Sequence, residues 1–270
     1  MRSVSFSYIQ QMVKEQAGIV VETGKEYLAE SRLAPLAREQ GFESVEPFVG
    51  RLRTQPPGEL HRRVVEALTT NETSFFRDDR TFEALRTVLI PKLLGGRTDR
   101  RLVIWCAAAA SGQEPYSIAM LLREYFPAVT ARIIASDISR EMLARTSAGV
   151  YSQFEVNRGL PVALLGKHMV QQGADWKVKP ELRAMLELRE INLTAPFPSL
   201  PPVDILFVRN VLIYFDATRK QDILARMRWT LASDGVLILG GAETTLGVDV
   251  ELERCTADNK AAWYRRKGAR

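Results

Sequence analysis

The sequence predicts an α/β fold: an open, mostly parallel sheet preceded by a small all-helical unit and carrying a small antiparallel β-subdomain. Three observations predict it. First, the apolar run 102–106 (LVIWC) leads through Ala107, Ala108, Ala109, Ala110, Ser111 and Gly112 into an amphipathic stretch with Tyr116, Ile118, Ala119 and Leu122; this is the pattern of a buried strand, a tight turn and a helix. Second, apolar runs recur at 132–136, 186–191, 203–208 and 236–239, as an alternation of strands and helices requires. Third, the first seventy residues carry their apolar side chains at helical spacing.

In the helical unit Phe6, Ile9, Met12 and Val13 define the first helix, which Gly18 closes, and Leu28, Leu33 and Leu36 carry the second. A proline inside a helix costs ~3 kcal/mol, so the second helix is expected to break near Leu33, with a new turn beginning at Pro35 and ending at Gly41. Ser44 is expected to cap a third helix with Pro47 in its first turn, and residues 58–69 to form a fourth after the Pro56-Pro57 linker. Lys14, Lys25, Arg32, Arg38, Arg51, Arg53, Arg62 and Arg63 are spread over this unit. They form either a solvated face or a docking face for an acidic partner.

The segment 69–80 (TTNETSFFRDDR) separates that unit from a helix expected over 82–94. Phe75 and Phe76 need burial while Asn71, Thr73, Ser74 and Arg77 need polar partners. The segment is therefore either a capping turn anchored by its aromatics or a functional loop held against a scaffold. In the turn after the first strand, Pro115 suits the first helical turn, and the small residues let a ligand lie against the backbone. The glycine fingerprint G-x-G-x-x-G is absent, with Gly112 its only glycine, and Glu114 would repel a pyrophosphate; it suits a ligand bearing an amino group or a sulfonium.

The second strand ends in Asp137, placed either to hold ribose hydroxyls or to cap the helix expected over 139–146. Later strands lead into Asn192-Leu193 and Arg209-Asn210, just past their carboxyl ends, where open α/β sheets bind ligands. Asp234-Gly235 is expected as the turn before the fifth strand, and residues 261–266 as a last antiparallel strand. Between these elements, 169–172, 176–178 and 186–189 read as the small antiparallel sheet.

With 270 residues, 46% of them hydrophobic, the chain can fill one large domain and a small one. No apolar run approaches ~20 residues and the opening MRSVSFSYIQ has no signal-type apolar region, so a soluble, cytoplasmic protein without a transmembrane segment is expected. Cys106 and Cys255 are the two cysteines and His61 and His168 the two histidines, too few for a disulfide framework or a thiolate zinc site; no metal site is expected. The net charge of +5 permits an acidic partner without naming one.

Taken in order, TTNETSFFR, IWCAAAASGQEPYSIAM, ASDIS, EINL, VDILFVRNVLIYFD and DGVLILGGAE span nearly the whole chain. They resemble the S-adenosylmethionine-dependent chemotaxis receptor methyltransferases, the CheR family, most specifically in pairing N-x-T-x-x-x-R with R-N-V-L-I-Y-F. The resemblance implies a class I methyltransferase Rossmann-like sheet with a small all-α N-terminal domain and a small antiparallel β-subdomain inserted. The implied domains are a receptor-facing helical domain at 1–70, a linker and lid over the cofactor at 71–95, and the methyltransferase domain at 96–270 with its β-subdomain at 150–190. The implied reaction transfers the methyl group of S-adenosylmethionine to glutamate side chains of chemoreceptors, giving glutamyl methyl esters and S-adenosylhomocysteine.

By the same resemblance, Asn71, Thr73 and Arg77 lie where the linker closes on the cofactor, Glu114 near its methionyl portion and Asp137 at its ribose. Asn192, Leu193, Arg209 and Asn210 lie around the adenosine and the pocket floor, and Arg77 and Tyr214 fall near the departing methyl as the catalytic pair. The sequence departs at Ala109-Ala110, where relatives often have Cys and Ser, and at Gly241-Ala242-Glu243, where they often have His-Ser-Glu. The implied partner is the acidic helical coiled coil of a chemoreceptor's cytoplasmic signalling domain, met by the basic helical unit. In tethered relatives a receptor C-terminal pentapeptide adds to the small sheet; the short turn Gln172-Gly173-Ala174-Asp175 points to an enzyme that does not need that tether. Two rival functions remain. A nucleic-acid methyltransferase would suit the basic charge, but Arg209-Asn210-Val211-Leu212 stands where such enzymes place Asp/Asn-Pro-Pro-aromatic, so no nucleic-acid partner is expected. A cofactor-binding sensor without turnover is opposed by the presence of both Arg77 and Tyr214.

Overall fold

The computed structural model describes residues 1–95, 97–258 and 260–268. Two compact units divide the chain: Met1–Thr70 with Tyr214–Arg219, and Asn71–Ile213 with Lys220–Arg270.

The first unit is built on α1 (Ser3–Ala17), α2 (Glu26–Glu39), α3 (Val45–Thr54) and α4 (Glu59–Leu68). The buried face of α1 is Phe6, Ile9, Met12 and Val13, as their spacing predicts, and Leu33, Leu36, Phe48, Leu52, Val64 and Val65 are buried from the other three helices. Contrary to the expected break, α2 runs unbroken through Pro35. Pro35 lies on the exposed side of α2 while Ala29, Leu33, Leu36 and Ala37 bury the opposite one. Water can therefore serve the carbonyl that proline leaves without a donor, and packing of the inner face holds the helix together. At its end Gly41 takes φ +81°, Gly41 N donates to Arg38 O at 3.0 Å and Phe42 N to Ala37 O at 2.9 Å, the bond pair that closes a helix on a left-handed glycine. Ser44 holds the N-cap position of α3 without a side-chain capping bond. Arg32 reaches from α2 to the Leu68 and Thr69 carbonyls, 2.9 Å each, and satisfies the carboxyl end of α4.

The second unit opens with α5 (Asp79–Ala84), a π turn (Leu85–Leu89) and α6 (Ile90–Leu94) in place of the uniform helix expected over 82–94. Ile90 N reaches back to Leu85 O. The wider register falls next to Pro91, whose ring clashes with an ordinary α turn.

The strands are β1 (Arg101–Ala107), β2 (Thr130–Asp137), β3 (Val150–Ser152), β4 (Met169–Gln172), β5 (Asp175–Val178), β6 (Leu186–Glu190), β7 (Val203–Val208), β8 (Leu231–Leu239), β9 (Leu252–Thr256) and β10 (Ala262–Arg266). Between them lie α7 (Gln113–Tyr125), α8 (Arg140–Ala148), α9 (Gln153–Asn157), α10 (Val162–His168), α11 (Pro180–Arg183) and α12 (Ala217–Thr230). One sheet has the order β6-β2-β1-β7-β8-β10-β9. Its first five strands are parallel, and β10 and β9 close the edge antiparallel. Ile104, Trp105, Cys106, Ile133, Ile134, Ile205, Leu206 and Phe207 are fully buried, so both faces of the central strands are covered and the strands read as unbroken apolar runs. Strand order turns back between β1 and β7, and the crevice at their carboxyl ends is where such sheets take ligands.

Among these strands two expectations change and one strand is new. The small sheet is β3-β5-β4; of the two placements the sequence offers for this stretch, the main-sheet strand over 186–191 holds and the small-sheet strand over 186–189 does not, since β6 runs parallel to β2 from Ile133↔Leu186 to Asp137↔Glu190. β6 satisfies the otherwise open edge of β2, while the true third strand of the small sheet, three residues long, is too short for alternation to show. Asp234-Gly235 lies inside β8 rather than in a turn before it. The pairing slips there from Val203↔Leu231 to Ile205↔Val236, a bulge that depends on glycine because a Cβ on Gly235 would meet Val203 O at 2.5 Å and Ala232 N at 2.9 Å. The new strand, β9 (LERCT), has no apolar run to announce it and is defined by its pairing with β10. No helix among the described residues is long and apolar enough to cross a membrane.

Gly235→Ala is expected to lower unfolding stability by about 1–3 kcal/mol, because the atoms in the way are backbone and cannot yield. Urea titration followed by circular dichroism reads it; an unchanged midpoint would show that the bulge absorbs a Cβ.

Candidate functional site

The turn after β1 is strained and held from several sides. Ala108 and Ala110 take φ of +55° and +48°, left-handed values that cost an alanine ~1–2 kcal/mol. Ala109 N donates to Ser136 O at 2.9 Å, Ala110 N to Asp137 Oδ2 at 2.9 Å, Thr146 Oγ1 to Ala110 O at 3.1 Å and Tyr151 OH to Ser111 O at 2.6 Å. Gly112, φ +93°, admits no side chain, since a Cβ would fall 2.6 Å from Thr146 Cγ2. The outcome is a rigid backbone shelf without bulky side chains.

Asp137 is buried at the end of β2. Beside its bond to Ala110 N, its Oδ1 accepts from Ser139 N at 2.9 Å. The cap of α8 is Ser139, whose hydroxyl accepts from Met142 N at 3.2 Å; Asp137, two residues before the N-cap, is not the capping residue.

Beyond β7, the side chain of Arg209 is 2% exposed. Its Nη1 donates to Glu114 Oε2 at 2.9 Å, and its Nη2 donates to Arg77 O at 2.9 Å and to the Asp78 carboxylate. Burial pushes the Glu114 carboxyl above the usual carboxylate range, against the pull of the Arg209 charge. Burial opposes the charge on Arg209 as well, but Glu114 and Asp78 outweigh it and its pKa rises. Arg209 Nε is buried with no acceptor, so the site keeps one buried donor for a group the protein does not supply.

The segment from Asn71 to Asp78 is anchored by its aromatics. Phe75 is fully buried, edge-on to Tyr151 at 5.1 Å between centroids, and Phe76 N donates to Ser117 Oγ at 2.9 Å. Phe75 O passes so close to Gly159 that a Cβ there would sit 2.1 Å away. Along this segment Asn71 and Thr73 are half-buried, and the Arg77 guanidinium lies 3.2 Å from Glu72, which also pairs with Arg158. The phenylalanines thus anchor the segment, as the capping-turn reading expects, and Asn71, Thr73, Ser74 and Arg77 are left half-buried along it.

After β6, Asn192 Oδ1 accepts from Thr194 N at 3.0 Å and Leu193 is buried. After β7, Asn210 takes φ +57°. The Glu243 carboxylate accepts from Asn210 N at 2.7 Å, Val211 N at 3.0 Å, Leu212 N at 2.7 Å and Gly240 N at 2.8 Å. Tyr214 belongs to the other unit, where its carbonyl accepts from Val20 N at 2.9 Å. Within the sheet unit, Arg77, Glu114 and Arg209 are brought together directly, and Asp137 and Asn210 stand at the carboxyl ends of β2 and β7, the two strands that flank β1.

Two residues of this constellation, Asp78 and Glu243, are not among the site residues expected from sequence. Asp78 follows Arg77 directly, and Glu243 lies just past the carboxyl end of β8; the strand-end rule that selects Asp137 and Arg209 selects Glu243 equally.

Comparison with known proteins is consistent along the chain. Residues 71–261 match the family model described as CheR methyltransferase, SAM binding domain, and residues 5–69 match CheR methyltransferase, all-alpha domain. A chemotaxis protein methyltransferase of Pseudomonas putida is 39% identical over 253 residues, covering 91% of this chain and 92% of that one. Chemotaxis protein methyltransferase 1 of Pseudomonas aeruginosa is 40% identical over 248 residues, covering 89% and 90%. Chemotaxis protein methyltransferase 1 of Vibrio cholerae is 36% identical over 253 residues, covering 90% of each. The chain belongs to the CheR methyltransferase family and is an S-adenosylmethionine-dependent methyltransferase.

Proposed function

We propose that the protein methylates glutamate side chains in the cytoplasmic signalling domains of chemoreceptors, as part of sensory adaptation. The observation that carries this reading is the Arg209 clamp, which fastens Arg77 and Asp78 to Glu114 at the switch point of the sheet. The site so formed needs no nucleophile of its own. Burial, with the Glu114 charge adding to it, pushes the Cys106 thiol well up and keeps it inert. An acceptor glutamate, with a pKa near 4.3, is already an anion at neutral pH and requires no general base.

When bound, S-adenosylmethionine supplies a sulfonium-activated methyl group and leaves as S-adenosylhomocysteine. The residues present fit it. Glu114 is an anion for its amino group, Asp137 is a buried carboxylate at the end of β2 for its ribose hydroxyls, and Arg209 Nε is a buried donor without an acceptor. The shelf of residues 108–112 lets the ligand approach the backbone, and Asn71, Thr73, Asn192, Leu193 and Asn210 complete its surroundings. Arg77 takes the acceptor carboxylate in exchange for Glu72, a bidentate pairing that aligns the attacking oxygen. Alignment and exclusion of water are the chain's main contribution, and effective molarities of ~10⁵ M or more are open to it.

In the first unit Lys14, Lys25, Arg62 and Arg63 pair with nearby carboxylates and Arg32 with carbonyls. Contact with the acidic receptor coiled coil therefore falls to the exposed Arg38, Arg51 and Arg53. The two-residue loop Gly173-Ala174 between β4 and β5 supports an enzyme that works without a pentapeptide tether.

Labelled methyl transferred to a receptor signalling domain is expected to be released as methanol in mild base, at equal rates for receptors with and without a C-terminal pentapeptide. Base-stable label would rule out a carboxyl acceptor, and cofactor binding without transfer across several receptors would favour a sensor. In the same assay Arg77→Ala should abolish transfer with little change in melting temperature; near-normal turnover would remove Arg77 from the chemistry. Affinity for S-adenosylhomocysteine, measured by calorimetry, is present in full above the raised pKa of Glu114 and is lost as pH falls through it. That loss should begin at a higher pH than an ordinary glutamate would give, and Glu114→Gln should weaken binding and flatten the profile. A wild-type profile that stays flat to the ordinary carboxylate range would contradict the assignment of Glu114.

A further inference from the structure

We infer that Glu243 is a positioning residue of the cofactor site, acting through the backbone of residues 210–212. One carboxylate takes four backbone N–H groups, from Gly240 at the end of β8 and from Asn210, Val211 and Leu212 beyond β7. Charge-assisted bonds of this kind are stronger than neutral ones, and here they converge on a loop with a costly conformation, Asn210 at φ +57°. Asparagine tolerates this conformation better than other side chains, and the carboxylate selects it at this position.

Gly240 is part of the same device. A Cβ at that position would meet Glu243 Oε2 at 2.8 Å, Asn210 N at 2.9 Å and Asn210 Nδ2 at 2.9 Å. The Asn210 side chain and the Glu243 carboxylate are thus packed on a bare backbone, and beyond the last strand pair, Val208↔Leu239, the loops after β7 and β8 are joined through side-chain oxygen. What this fixes is direction. Arg209, immediately before the held backbone, must aim its guanidinium at Glu114, Asp78 and Arg77 O together, and Asn210 must present its amide beside it. Loss of the carboxylate frees the loop, and both side chains lose their aim while remaining chemically intact.

This inference rests on the proposed role of Arg209 and Asn210 at the cofactor. The test compares wild type, Glu243→Gln, Glu243→Ala and Glu243→Asp by calorimetry with S-adenosylhomocysteine, by transfer kinetics with a receptor signalling domain, and by circular dichroism for the folded fraction. Glu243→Gln and Glu243→Ala are expected to raise Kd for S-adenosylhomocysteine and KM for S-adenosylmethionine by about tenfold or more, and Glu243→Asp, which keeps the charge, to recover part of the loss. A merely structural role would lower the folded fraction, and with it the apparent kcat, while leaving Kd and KM of the folded molecules at wild-type values; that result overturns the inference. If Glu243→Gln and Glu243→Ala do not fold, Glu243→Asp decides, since wild-type Kd and KM in it overturn the inference and raised values support it. Cofactor binding that depends on Glu243 without transfer to any receptor supports this role and refutes only the glutamate acceptor. A wild-type protein that binds no S-adenosylhomocysteine overturns both.

Discussion

A buried guanidinium sets the terms for the rest of the sheet unit. Removing a charge from water costs several kcal/mol even after relaxation, and Arg209 recovers that cost only with Glu114, Asp78 and the Arg77 carbonyl all in place. Those partners stand 95, 131 and 132 residues away along the chain. One side chain therefore requires that the segment before α5, the first turn of α7 and the end of β7 meet at one point. The same requirement explains why a segment without regular structure at residues 71–78 has a defined course. Phe75 supplies the apolar anchor against Tyr151, and Arg209 supplies the polar one.

The loops at the carboxyl ends of the strands share a second device. After β1, Ala108 and Ala110 are left-handed, and Asp137 from β2 holds Ala110 N. After β7, Asn210 is left-handed, and Glu243 beyond β8 holds its N–H. In each case the carboxylate of one strand end restrains the strained loop of its neighbour, so backbone strain of ~1–3 kcal/mol per residue is kept where a ligand approaches. For Asp137 the restraint is also a constraint: the ribose role proposed for it has to coexist with two backbone bonds that fix its orientation.

The amino ends of the strands show the opposite use of charge. Arg97 lies between Asp204 and Asp234 at 2.7 and 2.9 Å, and Asp204 also accepts from Val103 N at 2.7 Å. The bonds tie β1, β7 and the bulged start of β8 together, far along the strands from the switch point. Charges that tie strands together sit at one end of the sheet and the charges of the proposed cofactor site at the other, as the geometry of open parallel sheets allows.

The sequence by itself determined the helical face of α1, the apolar runs of the parallel strands, Glu114 in the first turn of the helix after β1, and the positions of Asp137, Arg209 and Asn210 at strand ends, because side-chain periodicity and strand-end position are local properties. Only the tertiary structure decided matters that depend on neighbours. α2 passes through Pro35 because one face is packed and the other wet, residues 186–189 join the main sheet because β2 had an open edge, and Asp234-Gly235 bulges within β8 because Val203 O presses against it. The site divides in the same way. Residue types at strand ends could be read in one dimension, but the convergence of Arg209 on Asp78, and of Glu243 on three consecutive amides, exists only once distant backbone is brought within 3 Å, which no local pattern encodes.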